Sequence, residues 1–509
     1  MSEISSNNKR IAKNTMMLYI RMLLSTVVSL YTSRVVLQTL GVEDYGIYGV
    51  VGGVVAMFSF LNSTMAGATS RFLTFEMGKG DKERLKATFS SALIIHIGIA
   101  LLVLVLAETV GIWFLNNKLV IPEGRMEAAH WVLQFSVLGM IVGFTQVPYN
   151  AAIIAHEKMD VYAYVELIHV FLKLGIVYLL WIGNFDKLIL YAFLTLVVNV
   201  IVAMIYRIYC IRHYEESKFN WVWDKEIVIS ITSFSLYNLY GNMGWVVNNQ
   251  GTNFLINAFF GVTLNAGAST ALTISNTVNG FSSNMMTAFR PQIYKLFAQN
   301  NYEAFKELLQ LSIKSILIVY CIIAIPIYLS IDNLLSIWLV KVPPYTAIFC
   351  KLMLISLFFE IFKQIIVMGI HARGKIKYVS IISGTLYCIN PIIIYICFKF
   401  NCSPSFAYIS NIALNMLIIS FDLMIMKKEI SNIPIKGYIW SYLLVIFAVA
   451  STYILMIPLC KFVSGIKLLD IIIISIESIT ILITISYFIV LNKQQKYKAL
   501  SLIKEKLKV

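Results

Sequence analysis

Apolar runs of about 20 residues, each long enough to cross the roughly 30 Å of hydrocarbon in a bilayer, recur from one end of the chain to the other. They lie near 12–38, 46–69, 88–115, 129–154, 161–182, 188–209, 228–258, 262–288, 308–330, 346–369, 378–399, 405–426, 437–459 and 469–491. The pattern predicts an all-α integral membrane protein of about fourteen transmembrane helices. Two stretches about 220 residues apart read as copies of one design. The first opens Leu-Gly-Val-Glu-Asp-Tyr-Gly at Leu40–Gly46, continues as a span ending near Ala68 and closes with a basic loop from Arg71 to Lys86. The second opens Phe-Gly-Val at Phe260–Val262, ends its span near Ala288 and closes with a loop from Arg290 to Lys306. At one constant shift Gly41 meets Gly261, Met65 meets Met285, Glu83 meets Glu303 and Lys86 meets Lys306. Ile112-Trp113 and Ile337-Trp338 close the third span of each half, and His156 and His371 follow the fourth. Six spans in each half give both copies the same orientation. The expected architecture is two parallel six-helix lobes, the geometry in which two bundles rock about a central cavity, plus two C-terminal helices.

The boundaries read as an N-terminal lobe at 1–211, a linker at 212–226, a second lobe at 227–430 and the added helices with a basic tail at 431–509. Trp221 and Trp223 suit an interfacial position for the linker. The net charge of +15 matters through its placement: Lys9, Arg10 and Lys13, then Arg71 to Lys86, Arg207 to Lys225, Arg290 to Lys306, Arg373 to Lys377, Lys427 to Lys436 and Lys493 to Lys508 fall in alternate loops. The loops between them carry few basic residues, such as Lys118, Arg125 and Lys187. The positive-inside rule then sets both termini in the cytoplasm and gives no reason to invoke nucleic acid. With 59% hydrophobic and 13% charged residues, the composition fits a membrane protein and not a soluble one, in which about 25% are charged. The polar N-terminus shows no cleavage pattern, so no processing is expected. The seven cysteines, from Cys210 to Cys460, have no metal spacing and read as small packing residues.

Arg21 falls inside the first span, where a charge is costly and normally turned inward, and Asn14, Ser25 and Thr32 extend one polar stripe from it. Its fork suits the oxygens of a phosphate, and it suits equally a pairing with a neighbouring helix. Arg34 lies nearer the span's end, where it can also snorkel to the surface. Arg71 and Arg290 fall at nearly equivalent points of the repeat. They either greet an anion or satisfy the positive-inside rule and the lipid headgroups. From Ile227 to Phe289 there is no Asp, Glu, Lys or Arg, yet Asn238, Asn242, Asn249, Asn253 and Asn257 share one helical face and Asn276 and Asn279 continue it. Lipid does not accept such a surface. It lines either a wet cavity suited to sugar hydroxyls or an interhelical hydrogen-bond network. Glu166, His169 and Lys173, with Tyr162, recur at helical steps and read as a proton or Na+ coupling site or as an internal ion pair. Glu360 and Lys363 read as a local pair; His96, His130, Glu108, Asp422 and Glu477 stand singly and are expected to be satisfied structurally.

No Walker A loop, nucleophile elbow, zinc-protease motif or dinucleotide fingerprint is present, so no enzyme, cofactor or metal is expected, and transport would be gradient-driven. Ser33-Arg34, Leu40-Gly41-Val42-Glu43-Asp44-Tyr45-Gly46-Ile47-Tyr48, Ala68-Thr69-Ser70-Arg71-Phe72 and Gly78-Lys79-Gly80-Asp81 together resemble the Wzx-type polysaccharide flippases. These belong to the multidrug/oligosaccharidyl-lipid/polysaccharide (MOP) exporter superfamily. The resemblance implies a bacterial inner-membrane protein that moves undecaprenyl-diphosphate-linked oligosaccharides outward by alternating access, with Arg21 and Arg34 as candidates for the diphosphate. The alternatives are a lipid II flippase, a multidrug or cation exporter of the same superfamily, and more remotely a membrane glycosyl-transfer enzyme. A cation site needs carboxylates near the cavity, and the first, second, seventh and eighth spans offer none.

Overall fold

In the computed structural model the described residues are 2–56, 59–117, 119, 121–122, 124–181, 185–218, 224–339, 341–459, 465–491 and 496. Trp221, Trp223, Lys118, Cys460 and the tail from Lys493 to Lys508, Lys496 excepted, lie outside them. The fold is all-helical. In chain order the helices are α1 (Ser2–Ala56), α2 (Ser59–Lys79), α3 (Lys82–Leu106), α4 (Ile112–Asn117), α5 (Met126–Ala155), α6 (Met159–Leu179), α7 (Lys187–His213) and α8 (Lys225–Ala298). They continue as α9 (Tyr302–Leu329), α10 (Ile331–Trp338), α11 (Thr346–Arg373), α12 (Lys377–Lys399), α13 (Phe406–Glu429), α14 (Ile435–Leu459) and α15 (Lys467–Ile485). Among the described residues, eleven helices are long and apolar enough to cross a membrane. Further helical stretches, residues 42–56, 59–79, 225–260 and 262–298, carry hydroxyls and amides that lower their hydropathy.

The repeat is written into the backbone. Leu40–Gly46 and Phe260–Val262 are kinks and not loops: α1 and α8 are each two helical segments that meet at one non-helical glycine, Gly41 (φ 81°, ψ 170°) and Gly261 (φ 81°, ψ 177°). Those angles belong to a region that only glycine occupies at low cost, so one glycine in each copy replaces a connecting loop. The two basic loops likewise shrink to turns, because α2 continues to Lys79 and α8 to Ala298. Beyond each turn the copies match again. Asp81 caps α3 by accepting from the Arg84 N–H and Asn301 caps α9 by accepting from the Ala304 N–H. One turn later Lys86 pairs with Glu83 at 3.1 Å and Lys306 with Glu303 at 2.8 Å. Capping and an acid in the first turn both stabilise a helix start.

The chain divides into two compact units, Met1–Leu239 with Arg290–Asn300, and Tyr240–Phe289 with Asn301–Val509. In the first unit one core gathers Leu73, Phe89, Tyr149, Ile153, Val202 and Tyr206, and a second gathers Ile47, Val51, Leu115, Val132 and Leu188. In the second unit α11 packs on α13 and α9, and the added pair α14 and α15 packs on α9, where the Lys314 Nζ donates to the Val490 carbonyl at 2.8 Å. Among the described residues six cysteines are free; Cys210, Cys321 and Cys350 are buried, in keeping with a packing role. At the start of the linker His156 stacks on Tyr214 at 3.8 Å between ring centroids and its Nε2 meets Glu216 Oε1 at 2.6 Å, which anchors the segment after α7.

Asp44, from the glycine-flanked motif, has a structural role. Its carboxylate accepts two bonds from Arg125, Nε at 2.9 Å and Nη2 at 2.6 Å, while Arg125 Nη1 also reaches Asp186 at 2.5 Å. Asp186 in turn caps α7, accepting from the Leu188 and Ile189 N–H groups at 3.0 Å. One guanidinium thus ties the segment after the Gly41 kink to the starts of α5 and α7. The hydrogen bond to Asp186 raises Arg125 above its ordinary pKa. Burial pushes the Asp186 carboxyl up, but the Arg125 bond and the α7 N–H groups outweigh it and hold the group below the usual carboxylate range. A depressed folded-state pKa contributes stability that is complete above the ordinary aspartate range and is lost as pH falls through the lowered value. Arg125→Ala is therefore expected to cost about 1–2 kcal/mol at neutral pH, less than a fully buried pair because the group is a quarter exposed. The difference from wild type should close only in acid, which thermal unfolding across pH would detect.

Candidate transport sites

A cavity of about 660 Å³ opens inside the first unit, with Gln146, Glu166, His169, Lys173, Thr195 and Asn199 in its lining. Three of these come from α6, because steps of three and four residues put Glu166, His169 and Lys173 on one face. Glu166 is held on two sides: Tyr206 donates its hydroxyl at 3.2 Å, and His169 Nδ1 lies 3.9 Å from the other oxygen. Tyr206 also reaches the Tyr162 carbonyl at 3.4 Å, so α7 fixes the α6 face. The Arg21 guanidinium stacks over the Tyr162 ring, 5.0 Å from its centroid, and its charge reaches Glu166. The structure therefore brings Arg21 beside the α6 cluster, a juxtaposition that the sequence did not signal. The His169 Nε2 and the Asn62 Oδ1, both of residues in the cavity wall, are buried with no hydrogen-bond partner. Lys173 completes a lining with two basic side chains to one carboxylate.

The other basic candidates are placed differently. Arg34 is exposed on α1 and stands apart from the cavity lining. Arg71 is buried among aromatic rings, 4.6 Å from the centroid of Phe72, 4.7 Å from Phe75 and 5.8 Å from Phe234. In this conformation it serves packing and is not open to an anion from solution. Arg290, its partner in the repeat, is exposed.

In the second unit Asn249, Asn253, Asn276 and Asn279 line a small cavity of about 60 Å³, together with Asn248, Glu360, Tyr387, Asn411 and Asn415. Asn242 is exposed on α8 and outside that lining. The hub is a residue that the stripe on α8 skipped. Buried Asn248 donates to Asn411 Oδ1 at 2.6 Å and accepts from Asn390 Nδ2 at 2.9 Å, which locks α8, α12 and α13 together. A further chain runs from Lys363 to the Tyr387 hydroxyl, from that hydroxyl to Asn415 Oδ1 at 3.0 Å, and from Asn415 to Ser356 at 3.2 Å. The space is too small for a sugar ring; Asn248, Asn390, Asn411 and Asn415 act as interhelical glue, whereas Asn249 donates to the Trp245 carbonyl of its own helix at 3.0 Å and Asn279 Oδ1 is buried without a partner. Two expectations are corrected. Glu360 and Lys363 do not pair: Glu360 accepts from Gln364 at 3.2 Å and Lys363 turns to Tyr387, because α12 supplies a hydroxyl within reach. Asp422 is not satisfied: it is completely buried and both carboxylate oxygens are without a hydrogen-bond partner. Asn411 and Asn415, four residues apart on α13, were the available signal for this network. His96 is only half satisfied, its Nδ1 meeting the Ala92 carbonyl of its own helix at 2.7 Å while its buried Nε2 has no hydrogen-bond partner, and Glu108 accepts from Gln134 at 3.1 Å.

No protein-family model matches the sequence, and no curated protein matches it. Solved structures do match the fold. An outward-facing multidrug-resistance MATE family transporter of the MOP superfamily aligns with TM-score 0.71 and 14% identity, over 84% of this chain and 97% of that one. A MATE in the straight conformation aligns equally, with TM-score 0.71, 14% identity and coverage of 84% and 97%. A MOP superfamily transporter from Pyrococcus furiosus, described as having a binding pocket of reverse polarity that suggests a different function, aligns with TM-score 0.69 and 13% identity over 84% and 96%. The chain is thus a multi-pass membrane protein with the fold of the MATE transporters.

Proposed function

We propose that this protein is a flippase that carries a lipid-linked oligosaccharide, joined through a diphosphate, across the bacterial inner membrane with both termini cytoplasmic. The observation that carries the reading is the charge inside the first unit's cavity. Lys173 and His169 line it, Arg21 lies beside them, and the one carboxylate, Glu166, is already engaged by Tyr206 and His169. A cavity with surplus basic groups suits a diphosphate, since hydrogen bonds to a charged partner are the strong ones. The exposed amide of Asn242 on α8, outside the small cavity, is suited to sugar hydroxyls, while buried Asn248 and Asn390 hold helices together. Coupling to H+ or Na+ falls to Glu166, His169 and Lys173, whose mutual balance changes when the anion is bound.

One observation favours a second reading, export of an organic cation. Carboxylates do line both cavities, Glu166 in one and Glu360 in the other, supplied by α6 and α11 and not by the four spans first considered. Lys173→Gln separates the two. Loss of a charge-assisted contact worth about 1.5–3 kcal/mol should lower surface polysaccharide at least about tenfold and leave lipid-linked oligosaccharide on the inner side. Normal polysaccharide in that variant, together with loss of cationic-dye efflux in Glu166→Gln, would favour the cation exporter.

A further inference from the structure

Asp422 lies in α13 with none of its surface exposed, and neither carboxylate oxygen has a hydrogen-bond partner. α13 packs against α11 and α12: the Lys363 charge on α11 reaches Asp422, the Asp422 charge reaches the Tyr387 hydroxyl on α12, and Glu360, also on α11, acts on both Lys363 and Tyr387. Those two are tied to each other. The Lys363 Nζ donates to the Tyr387 hydroxyl and sits over its ring, 4.7 Å from the centroid. Tyr387 and Asn415, the next members of the chain, are in the wall of the second unit's cavity, as is Glu360. Asp422 is therefore a fully buried carboxyl whose electrostatic neighbours, Lys363 and Tyr387, are tied to each other, and Tyr387 faces a polar cavity.

An ionised carboxylate in that position, with no donor on either oxygen, costs several kcal/mol more than the neutral acid. A lysine held by a neighbouring hydroxyl does not supply the missing contact. We propose that Asp422 is a proton-binding site in which the proton and the Lys363 ammonium compete for one carboxyl. In the present arrangement Asp422 holds the proton and Lys363 is parked on Tyr387. When α11 and α13 shift enough for Lys363 to leave Tyr387 and reach Asp422, an ion pair replaces the acid and one H+ leaves past the Tyr387 hydroxyl into the cavity whose wall Tyr387 forms. The balance is one carboxylic acid giving one carboxylate and one proton, with no other reactant. Because the protonated and ion-paired states exclude each other, proton binding selects between two packings of the second unit, which is the condition for coupling a gradient to a conformational change. The site is separate from the α6 cluster in the first unit and does not depend on which substrate is carried.

The test uses the full-length protein in lipid nanodiscs, read by infrared spectroscopy as pH is varied. Wild type should show a protonated-carboxyl C=O band at neutral pH that is missing in Asp422→Asn and shifted in Asp422→Glu. Asp422→Asn should fold, since an amide has the shape of the neutral acid, and should lose the pH-dependent change in hydrogen exchange of α11 and α13. Lys363→Met removes the competitor, so the band should persist to higher pH by at least about one unit. An identical band in Asp422→Asn, or a titration unmoved in Lys363→Met, would overturn the proposal. If Asp422→Asn does not accumulate in the membrane, the Lys363→Met titration alone decides between the two outcomes. Failure of oligosaccharide transport would bear on the proposed substrate and leave this result intact.

Discussion

Gly41→Ala is expected to destabilise the first unit by about 1–3 kcal/mol, and Gly261→Ala the second by a similar amount. The cost comes from the backbone and not from crowding. A Cβ built at either position meets nothing within 4 Å, whereas φ 81° with ψ near 175° lies in a region that residues with a Cβ occupy only under strain. Asparagine, which tolerates ordinary left-handed helical angles, is not a rescue here because ψ is extended. Gly41→Asn should therefore be as costly as Gly41→Ala. The double alanine variant should approach the sum of the two, since the glycines sit in separate compact units. Thermal unfolding of the full-length protein in detergent would measure all four. A Gly41→Asn variant as stable as wild type would show that the kink does not require these angles.

Arg10→Ala should cost about 3 kcal/mol, more than Glu157→Gln at the other end of the same bond. Glu157 sits at the junction of α5 and α6 with φ 59° and a side chain only 1% exposed. One carboxylate oxygen receives Arg10 Nε at 2.5 Å and Gln292 Nε2 at 2.6 Å, the other has no partner, and Asn14 donates to the Glu157 carbonyl at 3.3 Å. This carboxylate gathers the start of α1, the α5–α6 junction and the last turns of α8, all within the first unit. Arg10 is 46% exposed, so when Glu157 is neutralised the guanidinium turns to water at a cost of about 1 kcal/mol. When Arg10 is removed the buried carboxylate cannot follow, and it keeps only a neutral amide. Equal losses from the two substitutions, read as shifts in unfolding temperature, would contradict this asymmetry.

The fold was legible because membrane crossing leaves a coarse signal. Runs of apolar residues marked the membrane-spanning helices, eleven of which are long and apolar enough among the described residues, and the constant shift between Gly41 and Gly261 marked the two kinks with matching backbone angles. Local boundaries were less legible. A glycine in an apolar helix looks the same in sequence whether it makes a loop or a kink, so the connections at Leu40–Gly46 and Phe260–Val262 read as loops. The α6 cluster was visible from its periodicity, because Glu166, His169 and Lys173 share one element. Arg21 joining it was not, since contacts between α1 and α6 leave no mark on spacing. The same limit hid Asn248, Asn390 and Asn411, whose network spans three helices. It also made Asp422 read as satisfied, because a missing partner is a property of the surroundings and not of the residue.

The most direct test of the transport reading is reconstitution of the full-length protein in vesicles whose membrane carries a labelled undecaprenyl-diphosphate oligosaccharide. Glycan in the opposite leaflet is then measured by its accessibility to an added glycosidase under an imposed ion gradient. The account predicts movement well above protein-free vesicles and loss of that movement in Lys173→Gln. Vesicles that leave the glycan in place while exporting a cationic dye in a Glu166-dependent manner would contradict it.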